Sequence, residues 1–237
     1  MIGKGVRLLL ACGLVLLTAA CASTKDYSQI NKLDKAVDER LTVLLMPLDV
    51  ELSSLQASGL TEVNAEWTEE ANRLMLDAIR DFKAARNINL IEFDPNAAGL
   101  DAGSEQVRLL KLNRAVGEAI LIHKYGGNNE LPSKRDKFDW TLGPSARVLA
   151  EAYDADYALF IFVRDSYSSA GRVAMQIFAA FLGAGMSGGV QIGYASLVDL
   201  KTGDVVWFNV LQDTGGDLRS ERGAVRTVEN LLEDMPQ

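Results

Sequence analysis

The chain has 237 residues, with 32 acidic against 24 basic side chains and a formal net charge of −8. Such an acidic body argues against nucleic acid as a partner. One histidine and two cysteines leave few ligands for a zinc-type centre, so neither a metal nor another cofactor is expected.

The first residues have the layout of an export signal. Lys4 and Arg7 make a positive start, Leu8 to Leu17 an apolar run, and Thr18, Ala19 and Ala20 a small-residue approach to Cys21. The arrangement resembles a bacterial lipobox, with Thr18 where Leu is more usual; an ordinary secretory signal or an uncleaved anchor is the alternative. The resemblance implies acylation of Cys21, each buried methylene adding ~0.8 kcal/mol of membrane affinity. Ala22 stands where inner-membrane lipoproteins often carry Asp, which by the same resemblance implies a lipid anchor in the outer membrane with the body facing the periplasm. Loss of residues 1–20 would remove Lys4, Arg7 and Cys12, taking the charge from −8 to −10 and leaving no cysteine pair for an internal disulfide. Residues 21–39 then form the lipidated N-terminus and a polar tether, and 40–237 the folded body.

In that body, Leu41 to Leu48 is an aliphatic run predicted as a buried strand ending near Pro47 and the polar SSLQASG stretch. Trp67, Ala71, Leu74, Met75, Ala78, Ile79 and Phe82 recur on one helical face, with Asn64 as cap. Ile88 to Phe93 follows as a second strand, giving a βαβ unit with parallel strands. A second helix is predicted from Ser104 to Tyr125, its inward face carrying Leu109, Leu112, Val116, Ala119, Ile120 and His123. A polar loop containing Trp140 comes next. Pro144 then opens a short helix to Tyr153, and Tyr157 to Val163 is the third strand. The stretches VQIGYASLVDL and DVVWFNVL, joined by KTG, are predicted as an antiparallel hairpin, and an amphipathic helix from about Leu218 to Asp234 closes the chain. The expected fold is one α/β domain with a mixed, mostly five-stranded sheet packed by long helices.

This order, with the Ala155-Asp156-Tyr157 strand start and the Leu197 to Trp207 hairpin, resembles the periplasmic α/β domain shared by the TolB amino-terminal domain, CsgG and LpoB. The resemblance spans roughly residues 40–234. It implies an architecture first and a function only through the envelope setting of those proteins.

Two segments stand apart as candidate sites. The stretch 171–189 is nearly uncharged and Gly/Ala-rich, and its low-polarity core is shorter than the ~20 residues a spanning helix needs. It is either an apolar docking or core helix or one arm of a membrane hairpin; Met175, Ile177, Phe178, Phe181 and Leu182 are its candidate contact residues. Its small residues, Ala179, Gly183, Gly185 and Gly189, would let copies approach closely, so a homo-oligomer is a further expectation. The other candidate is Trp140, either a recognition anchor in a polar loop or a ring tucked over the domain edge.

Gly185 to Gly189 also matches G-x-S-x-G around Ser187. That motif presents a nucleophile only on a strand-to-helix turn, and here an apolar run precedes it and a strand follows. His123 also comes before Ser187, against the order of that family. Asp154 and Asp156 flank a strand start and are expected to serve the fold, so no catalytic residue is assigned. The leading expectation is a non-catalytic, lipid-anchored protein that binds another envelope component for assembly or maintenance. An oligomeric CsgG-like export subunit is the alternative, and a serine hydrolase a remote one.

Overall fold

The protein is described from a computed structural model, which covers residues 23–28, 41–86, 88–94, 104–125, 130–181, 189–213 and 216–236. Its backbone is built around one long strand, β6 (Tyr157–Ser168), whose first seven side chains are all buried. Seven further strands join it: β1 (Ser23–Ser28), β2 (Thr42–Leu45), β3 (Asp49–Leu55), β4 (Thr61–Val63), β5 (Asn89–Glu92), β7 (Gln191–Asp199) and β8 (Val205–Asp213). The helices are α1 (Ala65–Arg86), α2 (Glu105–Ile120), α3 (Arg147–Tyr153), α4 (Ala170–Phe181) and α5 (Glu221–Leu231).

The mixed α/β sheet is as expected, parallel on one side of β6 and antiparallel on the other. β2 runs parallel to both β5 and β6, while β7 and β8 form the antiparallel hairpin beyond β6. Asp199 shapes that hairpin's turn by accepting from the backbone N–H groups of Lys201 and Thr202 at 2.7 and 3.0 Å. Gly203 completes it at a φ of +87°, where a Cβ would also meet the Gly143 carbonyl oxygen at 2.1 Å.

The sheet has eight strands where five were expected, and each addition has a physical reason. The chain does not leave the sheet at Pro47. β2 pairs with Tyr157–Leu159, and after a three-residue break the chain resumes as β3 beside Phe162–Ser168 of the same β6. Val50 and Leu52 point into the core while Glu51 and Ser53 alternate with them, so a polar-looking stretch is a half-covered strand. β4 returns antiparallel to β3. β6 likewise runs five residues past its apolar stretch, because Arg164 donates to the Asp49 carboxylate at 2.6 Å and stays in the ladder. The third addition corrects the tether: Ser23–Ser28 pairs antiparallel with β8 as an edge strand.

Through the middle of the sheet both faces are covered, which is why Tyr157–Val163 of β6 and much of β8 read as near-continuous apolar runs. α1 and α5 pack on one face over Val43, Leu45, Leu159, Ile161 and Trp207; Asn64 caps α1 by accepting from the Trp67 N–H at 2.9 Å. On the other face α2, α3 and the 131–142 segment cover Leu44, Phe160, Phe162, Tyr194 and Phe208.

α2 keeps most of its expected inward face, with Leu109 and Ile120 buried and Val116 and Ala119 packed against the core, but Leu112 turns out and Asn113 and Gly117 turn in. Asn113 accepts from the Ser196 hydroxyl at 3.3 Å, and Gly117 makes room for the Tyr194 ring, which a Cβ there would meet at 2.3 Å. The helix thus turns its smallest residue to the bulkiest neighbour. Gly117→Ala would raise helix propensity by up to about 1 kcal/mol, but overpacking against Tyr194 costs about 1–3 kcal/mol. Net destabilisation is therefore expected, read as a lower urea midpoint, with Leu112→Ala on the same helix as the exposed control.

Candidate functional site

Residues 170–181 form α4, so the described part of the apolar insert is helical and not a hairpin arm. Ser169 starts it, its hydroxyl accepting from the Arg172 N–H at 3.3 Å. Gln176 holds it to the end of β6 by donating to the Ser168 hydroxyl at 3.5 Å. Val173 and Met175 are exposed, Met175 to 45%. Ile177, Phe178 and Phe181 lie in the helix, but their side chains fall outside the description, as do Cys21, Leu182 and Ser187 altogether.

Trp140 does not stand out from its loop: only 9% of it is exposed. Residues 140–142 run beside the start of β8, with Val205 N–H donating to the Trp140 carbonyl at 2.9 Å and Leu142 N–H to that of Gly203 at 2.7 Å. The Lys134 ammonium sits 4.9 Å from the ring centroid and pairs with Asp139 at 2.7 Å. Trp140 is therefore a core residue of the α2 face, unable to serve as an exposed anchor. His123 sits in a π-helical turn, Leu121–Tyr125, that continues α2. Asp154 ends α3 in a left-handed conformation, and Asp156 accepts from the Thr42 N–H at 2.8 Å, tying the start of β2 to that of β6.

Beyond α2 the same face of the sheet carries exposed apolar side chains among the described residues. Val63, Ser53, Ser166 and Val190 lie in one cross-sheet row, the last two joined by Ser166 N–H donating to the Val190 carbonyl at 3.2 Å. Ile192 stands opposite Arg164 in the neighbouring row of the same face. Of the nine large apolar side chains exposed among the described residues, six lie at this end: Leu60, Val63, Val173, Met175, Val190 and Ile192. The alternation of Val190 and Ile192 with Gln191 and Gly193 is visible in the sequence. The row that includes β3 and β4 is not, because those strands themselves were hidden.

On the opposite face at the same end lies a buried polar network. Asp165, Gln191 and Thr227 are each at most 3% exposed. The Tyr167 hydroxyl makes a short hydrogen bond to Asp165 Oδ2, which also accepts from Gln191 Nε2 at 2.9 Å; the Thr227 hydroxyl donates to Gln191 Oε1 at 3.3 Å. Leu218 N–H donates to the Tyr167 hydroxyl at 2.8 Å. Arg219 lies 3.8 Å from the Tyr167 ring centroid and pairs with Asp217 at 2.9 Å. Burial pushes the Asp165 carboxyl above the usual carboxylate range, against the lowering effect of Tyr167 and Gln191. It also pushes the Tyr167 phenol well up, reinforced by Asp165. These groups join β6, β7, α5 and the segment before it, with Asp165, Gln191 and Thr227 in the interior.

A cavity of about 280 Å³ opens where β3 begins, between α2 and the sheet, lined in part by Asp49, Asn113, Arg114, Phe162 and Tyr194. Of the two cations in its lining, Arg114 meets Glu118 at 3.1 Å and Asp49 at 3.6 Å, and Lys111 stands exposed beside it; Asp49 also pairs with Arg164 at 2.6 Å. Burial raises the Tyr194 phenol, leaving it neutral. Among the described residues no cluster of three or more His, Cys, Asp or Glu is placed to hold a metal ion, and no helix is long and apolar enough to cross a membrane.

No protein-family model matches the chain, and no curated protein matches it either. Among solved structures the chain is similar to a PelC dodecamer from Paraburkholderia phytofirmans, at 12% identity over 91% of this chain and 99% of that one, with a TM-score of 0.40. A point variant of that PelC dodecamer gives 14% identity, 90% and 97% coverage, and a TM-score of 0.39.

The raised Asp165 pKa has a defined stability signature. The folded chain holds this proton at pH values where the unfolded chain has released it. The associated stability is thus complete below the ordinary carboxylate pKa of about 3.9 and is lost as pH rises through the higher folded value. Asp165→Asn keeps an acceptor for Tyr167 and Gln191 but cannot ionise. Its urea midpoint is expected to fall less than that of the wild type between about pH 4 and pH 7.

Proposed function

We propose that this protein is a non-catalytic envelope lipoprotein, held to the outer membrane through Cys21 and facing the periplasm, that works by binding another envelope component. The observation that carries the binding role is the exposed apolar end of the sheet with α4 beside it. Monomeric surfaces rarely leave such side chains grouped, and grouping marks a contact surface. The non-catalytic reading is supported by what the facing polar groups do. Asp165, Tyr167 and Gln191 satisfy one another in the interior, and Asp156 fastens two strand starts. The anchor is supported by the sequence alone: Lys4, Arg7, the Leu8–Leu17 run and the small residues before Cys21.

Mass spectrometry of the mature protein is expected to give a triacylated N-terminal peptide beginning at Cys21. Cys21→Ser is expected to move the protein from the membrane pellet to the soluble fraction of an osmotic shock. A mature N-terminus elsewhere, without acyl chains, would overturn the anchor.

A further inference from the structure

We infer that the apolar end formed by Leu60, Val63, Val173, Met175, Val190 and Ile192 rests on the lipid bilayer that holds the anchor. The inference rests on the function proposed above and on acylation at Cys21: it names the bilayer itself as the envelope component that this contact surface meets. Its geometric basis is the direction of β1. Ser23 pairs with Gln212 of β8, Gln212 with Ile192 of β7, and Ile192 with Arg164 of β6. The first residue of β1 therefore shares a cross-sheet row with an exposed apolar residue, two strands or about 10 Å away. Cys21 precedes Ser23 by two residues, a covalent reach of at most about 7 Å. Strand β1 could have met β8 in either direction. Running antiparallel, it brings the acylated residue to the apolar end of the sheet, and running parallel it would have carried it to the Lys201–Gly203 turn at the opposite end.

The rest of that end suits a bilayer surface. Leu60 projects from the β3–β4 turn, which lies against the start of α4: a Cβ on Gly171 would stand 3.6 Å from Ala57 Cβ. The β3–β4 hairpin, α4 and the start of β7 are thus neighbouring projections from one end of the sheet. The charges inside the patch oppose each other, Arg164 lying 3.8 Å from Glu51, so no single-signed field restricts it to anionic lipid. Three acyl chains already give durable attachment, whereas one gives only marginal binding. The patch therefore sets how the domain stands on the membrane more than whether it stays there.

The test uses the lipidated full-length chain in vesicles of phosphatidylethanolamine and phosphatidylglycerol. An environment-sensitive fluorophore is placed on Val63→Cys, Met175→Cys or Ile192→Cys, with Lys201→Cys in the opposite turn as control. With Cys21 acylated and Cys12 removed, the introduced thiol is the sole free one. Immersion by about 5–10 Å, as for interfacial helices, predicts blue-shifted emission and strong quenching by brominated lipid at the three patch positions, and neither at position 201. Acylated, vesicle-bound protein whose patch labels stay unquenched overturns the bilayer contact while leaving the anchor intact. Labels shielded from aqueous iodide yet unquenched by lipid would assign the patch to a protein partner or a second copy, and also overturn it. An unacylated Cys21 in the mass spectrum would remove the anchor and the inference together.

Discussion

Strand β6 is the constraint on which the rest of the structure depends. It is hydrogen-bonded along both edges, first to β2 and then to β3 on one side and to β7 on the other. A strand in that position cannot slip by one residue without exchanging Leu159, Ile161 and Val163 on one face for Phe160 and Phe162 on the other. The two faces carry different loads. Aliphatic residues meet α1 and α5 on one side, and on the other Phe162, Tyr194 and Phe208 stack in sequence at centroid separations of 5.0 Å. That stack accounts for the set of α2, since an aromatic column under a helix needs a gap, and Gly117 supplies it.

The same strand changes character along its length. From Tyr157 to Val163 it is core, and from Arg164 to Ser168 it becomes a support for polar groups on one face and an open platform on the other. Asp165 and Tyr167 point to the α1 and α5 side, where Gln191 of β7 and Leu218, just before α5, hydrogen-bond them. Arg164 and Ser166 point to the open side. A buried carboxyl is costly unless hydrogen-bonded, so the network keeps the tip of β6 in the sheet after its apolar side chains have run out.

Sequence periodicity was enough for α1, where all seven predicted inward residues are buried or packed against the core, and for the β7–β8 hairpin with its Asp199 turn. Composition marked the apolar stretch that holds α4 but left helix or hairpin open. Strands β3 and β4 were hidden because Glu51, Ser53, Glu62 and Val63 lie on or beside a half-open face, so their pattern carries little of the apolar signal that marks a buried strand. β1 was hidden more completely: Ser-Thr-Lys-Asp-Tyr-Ser has the composition of a tether, and only pairing with β8 makes it a strand. For Trp140, charged neighbours left both an exposed anchor and a tucked ring open in the sequence; its burial comes from residues about 60 positions later in the chain. The inward positions missed on α2 had the same origin, because Asn113 and Gly117 face in for the sake of Ser196 and Tyr194.

The placement of β1 also has a mechanical consequence. β1 lies alongside β8 through six successive register pairs, from Ser23 with Gln212 to Ser28 with Trp207. Tension applied to the chain ahead of Ser23 and directed out of that end of the sheet acts along the strand axis. The ladder is then loaded in shear, with its hydrogen bonds sharing the force instead of opening one at a time. The strand at the sheet's edge is thus also a strain-relief splice between the domain and whatever holds its N-terminus.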